Sequence, residues 1–142
     1  MLRLIVAILS LGLCSLAGAQ VTTLADVKAK NGVQLSAEEL KQLMPGAKVV
    51  SRTQAGSTRL WTNNADGTFT ASSDGRGSTA NRNSYGTAAG TWRVSDNGRL
   101  CVTIQWRAPE DWCRLVFKAG DKYYGVGRLE DNAPASEFEF SQ

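Results

Sequence analysis

Three rhythms of apolar and polar residues succeed one another along the chain. The first is an apolar run from Leu4 to about Leu16, preceded by the lone basic residue Arg3 and followed by Ala17-Gly18-Ala19. A basic start, an apolar stretch and an A-x-A site predict an export signal over residues 1–19, cut between Ala19 and Gln20. The run falls short of the roughly 20 residues that a spanning helix needs. Leu11-Gly12-Leu13-Cys14 loosely imitates a lipid-attachment box, but bulky Leu13 stands where such boxes carry a small residue. The cleaved chain is therefore expected to be periplasmic or secreted and not to span a membrane.

The second rhythm is helical and occupies residues 20–47. Ser36-Ala37-Glu38-Glu39 has the form of a capping box, in which the Ser36 hydroxyl and the Glu39 carboxylate satisfy free backbone donors reciprocally. Leu40 and Leu43 then share one helical face, and Pro45-Gly46 ends the helix. Thr23 and Asp26 have the same capping spacing and predict a second, weaker turn. This short N-terminal helical module should pack over one side or one end of a β-sheet built from the rest of the chain.

From about Val49 the rhythm has period two, broken by turn signals, and residues 48–142 read as one antiparallel β domain. Thr58–Thr62 and Thr68–Ala71 flank Asn63-Asn64-Ala65-Asp66-Gly67. Thr91–Val94 and Leu100–Trp106 flank Ser95-Asp96-Asn97-Gly98, and Cys113–Lys118 and Lys122–Val126 flank Ala119-Gly120-Asp121. Glycine beside Asn or Asp tolerates positive φ, so each connector reads as a hairpin turn. About six strands result, with a seventh from Glu137-Phe138-Glu139-Phe140. If Cys101 faces Cys113, then Thr103, Gln105, Leu115 and Phe117 share one face. Leu100, Val102, Ile104 and Val116 share the other. With apolar residues on both faces, one suits a barrel interior and the other a helix-covered exterior. The predicted fold is mainly β, an antiparallel meander forming a curved sheet or small, partly open barrel.

An ordered set of residues runs through this region: Gly90-Thr91-Trp92-Arg93-Val94, Gly98-Arg99-Leu100-Cys101-Val102, Cys113, and Gly120-Asp121-Lys122-Tyr123-Tyr124. It resembles a family of small exported proteobacterial proteins of unassigned function, over about residues 55–126. The resemblance implies export and the β fold and carries no activity with it. A remoter likeness is to the small barrels that inhibit lysozyme in bacterial envelopes, of whose inhibitory loop Ser84-Tyr85-Gly86 is only a fragment.

Charge adds little to this picture and cysteine adds more. The whole chain carries a formal +3, too small to suggest a nucleic-acid partner. Between Lys48 and Arg128 twelve residues are basic and six acidic, whereas Glu130, Asp131, Glu137 and Glu139 come after them without a base. Such a tail is expected to fold back onto the basic sheet. Cys101 and Cys113 survive signal removal as an even pair, which in an exported chain predicts a structural disulfide rather than a metal or redox pair.

The chain has no histidine, which removes Ser-His and Cys-His activation and the commonest metal ligand. No S-x-x-K occurs, Asp66, Asp96 and Asp121 sit at turns, and Gly75-Arg76-Gly77 opens no helix that would cradle a phosphate. No catalytic residue, metal site or cofactor is expected. The best stretch for recognition is Trp106-Arg107-Ala108-Pro109-Glu110-Asp111-Trp112, because Trp and Arg dominate binding hot spots. The plainer alternative makes Glu110-Asp111 a turn and the indoles core, and is preferred for Trp106. Tyr123 and Tyr124 place one phenol on each face. Arg76 and Arg82, in the polar stretch 72–86, offer charge to an anionic partner. The candidate binding residues are Arg107, Glu110, Asp111, Trp112, Tyr123, Arg76 and Arg82. These point to a non-catalytic exported module that recognises a protein or wall component of the envelope, in its sharpest form an inhibitor or immunity-type protein. The alternative is a lipocalin-like carrier of a small apolar ligand.

Overall fold

The computed structural model describes residues 21–75 and 86–142. The expected export signal with Cys14, the candidates Arg76 and Arg82, and Ser84-Tyr85 lie outside them. Two capped helices come first, α1 (Leu24–Ala29) and α2 (Ala37–Leu43), with a two-residue strand β1 (Val33–Gln34) between them. Both capping boxes form: Thr23 pairs reciprocally with Asp26, and Ser36 with Glu39. Eight strands come after them: β2 (Lys48–Arg52), β3 (Thr58–Thr62), β4 (Thr68–Ser73), β5 (Gly86–Val94), β6 (Arg99–Ile104), β7 (Glu110–Ala119), β8 (Lys122–Val126) and β9 (Ala135–Ser141).

Every one of these eight pairs antiparallel with its neighbours in the chain, and β9 pairs with both β8 and β2. The meander therefore closes into an eight-stranded barrel, where the sequence pattern suggested one left partly open. The acidic tail is the closing strand. Arg52 on β2 meets Glu139 at 2.6 Å and Glu137 at 3.5 Å, and Lys122 on β8 meets Glu137 at 3.0 Å. These pairs are exposed and contribute little energy, but they match charge across the seam. β1 extends the barrel wall along β7, pairing Val33 with Lys118 and Gln34 with Phe117 beyond the end of β6.

Two strands start earlier than expected. β5 begins at Gly86, and β7 begins at Glu110, so Glu110, Asp111 and Trp112 belong to a strand and not to a loop or turn. The Pro109 break is what misled the pattern, since strand pairing resumes immediately after it.

Alternation sorts the strand residues into an inner and an outer set. Val49, Trp61, Phe69, Leu100, Val102, Ile104, Val116 and Phe138 fill the lumen, with Trp61 stacked on Phe69 at 5.1 Å. Gly90 on β5 is the direct cross-strand partner of Phe69 on β4. A Cβ there would lie 2.2 Å from the Phe69 ring, so only glycine admits it. Trp92 comes next on the same face and donates its indole N–H to the Asn64 carbonyl at 2.9 Å.

Helix α2 plugs one end of the barrel with Leu40 and Met44, both fully buried. Asn63, read from sequence as a turn residue, anchors that plug. Its amide accepts from Trp61 Nε1 at 2.9 Å and donates to the Met44 carbonyl at 3.0 Å. The weaker helix, α1, covers the outer face instead. Leu24 and Val27 pack on Leu115, Phe117, Tyr124 and Val126, and burying each such side chain contributes roughly 1.5–3 kcal/mol. Cys101 pairs with Cys113 across β6 and β7, and the disulfide forms on this outer face. The two face assignments drawn from the cysteine register hold: Leu100, Val102, Ile104 and Val116 point inward, Leu115 and Phe117 outward.

Candidate functional site

Among the described residues, the end of the barrel opposite α2 stays open. There β2, β4, β6 and β8 finish and β3, β5, β7 and β9 begin, and the lumen widens into a pocket of about 580 Å³. Ser51, Arg59, Trp112, Arg114 and Ser136 form its inner wall, with Arg128 and Pro134 at the rim. The inward phase of four strands delivers these side chains: Ser51 two residues from Val49, Arg59 two from Trp61, Trp112 and Arg114 preceding Val116, and Ser136 two from Phe138.

Two arginines dominate this wall in different ways. Arg59 is only 8% exposed, and it forks onto the Glu110 carboxylate with both contacts at 2.6 Å. Strands β3 and β7 are not neighbours in the sheet, so this pair bridges the lumen. A bidentate, partly desolvated pair of this kind is held far more firmly than a surface ion pair. The Arg59 guanidinium also lies 5.7 Å from the centre of the Trp106 ring, and its Nε has no hydrogen-bond partner among the described residues.

Arg114 stacks over the Trp112 ring at 4.6 Å. Behind it Gly125 leaves room, because a Cβ at that position would lie 3.0 Å from Arg114 Cδ and 2.6 Å from Phe138. Burial pushes the Arg114 guanidinium below its usual pKa, an effect opposed by the Glu110 charge and assisted by the Arg59 charge. Among the described residues no carboxylate lines the pocket: Glu110 faces Arg59, Glu137 and Glu139 lie on the outer face, and Glu130 holds Arg128 at 3.2 Å.

Of the residues singled out from the sequence, Glu110 and Trp112 come together at this mouth. Arg107 is exposed in the β6–β7 connection. Asp111 points to the outer face, where it accepts from Thr103 at 3.3 Å. Tyr123 sits toward the plugged end against Phe140, with ring centres 4.8 Å apart and Lys118 Nζ 5.6 Å from its ring. Trp106 is core, 4% exposed, as preferred from the sequence. Sequence reading missed Arg59 and Arg114. The signal was present: each arginine shares the inward phase of its strand with large apolar residues, where a solvated charge would break the pattern.

Ser51, Thr53 and Ser136 bring hydroxyls to the pocket, and the chain has no histidine to activate them. Among the described residues no group of three or more His, Cys, Asp or Glu is placed to hold a metal ion. Among them, too, no helix is long and apolar enough to cross a membrane.

Fold and site together define a class: a small up-and-down antiparallel barrel, stapled by a disulfide, plugged by a helix at one end and open onto an arginine-lined pocket at the other. Residues 11–113 match the family described as a protein of unknown function (DUF995), and the chain belongs to that family. No curated protein and no solved structure matches it.

Proposed function

We propose that the protein is a non-catalytic binding protein of the bacterial envelope, exported by its N-terminal segment, whose ligand enters the open mouth of the barrel. The observation that carries this reading is the pocket of about 580 Å³ left open in a barrel otherwise filled by aromatic and branched side chains. That volume suits a small ligand, and closed antiparallel barrels commonly hold one in the mouth. A disulfide across two wall strands fits an oxidising compartment. The apolar-carrier version has less support, because Arg59, Arg114 and two serines line the wall. An inhibitor or immunity-type role would use the same mouth to receive a side chain of a protein partner.

The test is a titration of isotope-labelled protein, monitored by NMR, with a small-molecule extract of the envelope and separately with wall fragments and candidate wall hydrolases. Shifts should concentrate on Ser51, Arg59, Trp112 and Ser136 with the extract. Shifts confined to the Tyr123 end or to the outer Thr103–Asp111 face would sink the mouth as the site. Shifts only with a hydrolase would favour the inhibitor role.

A further inference from the structure

The chemistry of the mouth goes one step further than its shape. Resting on the reading of the mouth as the ligand site, we propose that what binds there is a small organic oxyanion, its carboxylate or phosphoryl group seated between Arg114 and Arg59.

Arg114 has no hydrogen-bond or ion-pair partner among the described residues, although its guanidinium is largely removed from water. Its ring-side face is taken by Trp112 at 4.6 Å, so its edge of N–H donors is the part left for a ligand. A planar guanidinium stacked on an indole is preorganised for bidentate contact with an oxyanion. Arg59 adds the independent observation. It is nine-tenths buried, it lines the same pocket, and among the described residues its Nε has no hydrogen-bond partner although its two terminal nitrogens are held by Glu110. Buried donors of this kind are rare in proteins, and a bound ion or an ordered water is an ordinary partner for them.

Glu110 balances one of these two charges, and among the described residues no carboxylate lining the pocket balances the other. A neutral or cationic ligand would leave the Arg114 charge desolvated without a counterion, whereas an anion supplies one. The Ser51 and Ser136 hydroxyls add donors on the same wall. The pocket, at about 580 Å³, is far larger than a bare inorganic anion, so an organic body should accompany the charged group. Trp112, backed by the buried Phe138 ring at 5.9 Å, gives that body an apolar surface on the pocket wall.

The experiment titrates the full chain, lacking only what export removes, with benzoate, phenyl phosphate, inorganic phosphate and the neutral isostere benzamide. The Trp112 indole N–H and the Arg59 Nε–H resonances are the readouts. Benzoate or phenyl phosphate should move both in a saturable way, with benzamide at least about tenfold weaker. Arg114→Gln should weaken the anion at least about tenfold, and Arg114→Lys, which keeps the charge and loses the fork, by less. Preference between benzoate and phenyl phosphate separates a carboxylate ligand from a phosphorylated one, and inorganic phosphate matching phenyl phosphate would remove the organic body. Benzamide binding as tightly as benzoate, or unchanged anion affinity in Arg114→Gln, would overturn the proposal while leaving the mouth as a ligand site. If Arg114→Gln fails to fold, the benzoate and benzamide comparison on the unmodified chain still decides. If no probe moves either resonance at millimolar concentration, the anion proposal falls, and the search for a ligand returns to the wider reading of the mouth.

Discussion

Glu110 is the single residue on which the mouth depends most. The sequence pattern places it in a charged turn, whereas its work is to hold Arg59 across the lumen with two contacts at 2.6 Å. Removing one partner of such a pair leaves the other charge desolvated and alone. Glu110→Ala should therefore lower stability by about 2–4 kcal/mol, below the full loss of a deeply buried pair because Glu110 retains some water. Replacing both partners, Arg59→Met with Glu110→Leu, should recover most of that loss. Urea denaturation of these variants beside the natural chain checks this. A loss under about 0.5 kcal/mol in Glu110→Ala would place the pair among ordinary surface contacts.

At the scale of elements, each fastening acts on a different face. The disulfide joins β6 and β7 on the outer face, while Trp112 and Arg114 leave β7 toward the lumen. Replacing Cys101 and Cys113 together by Ala should cost about 2–4 kcal/mol and leave the mouth's affinity unchanged wherever the variant is folded. Loss of binding in the folded variant would mean that the staple shapes the mouth. The two helices are fastened by their caps. Hydrogen bonds from Thr23 hold the Asp26 carboxyl below its ordinary pKa, and those from Ser36 do the same for Glu39. A depressed folded-state pKa gives stability that is complete above the unfolded pKa and is lost as pH falls through the folded one. The difference in melting temperature between the natural chain and Asp26→Asn with Glu39→Gln should thus be constant near neutrality and shrink through the acid range. A difference that persists undiminished in acid would show that the caps do not act through charge.

The whole molecule was more legible in the sequence than its site was. Period-two alternation, Gly-Asn and Gly-Asp turns and the cysteine register led to the antiparallel fold, the disulfide and the two faces of β6 and β7. Closure was harder to read, because it depends on Glu137–Phe140 pairing with both β2 and β8, a long-range choice that no local signal encodes. The split of labour between the helices was hidden for the same reason: the stronger capping motif belongs to the plug, α2, and the weaker one to the cover, α1. Arg59 and Arg114 escaped notice because an arginine within a strand reads as a solvated outward residue until the barrel's inside is known. Strand phase alone would have flagged both.

The central claim is that the barrel's mouth is a binding site, and filling it is the most direct test. Ser136 faces the pocket, and its neighbour Phe138 shows that β9 carries large inward side chains. Native mass spectrometry should compare the chain purified under non-denaturing conditions from exporting cells with a Ser136→Trp variant that remains folded. The natural chain should carry a small-molecule adduct of defined mass, and Ser136→Trp should lose it. An adduct retained equally by the filled variant, or an adduct-free natural chain that takes up nothing from an envelope extract, would contradict the claim.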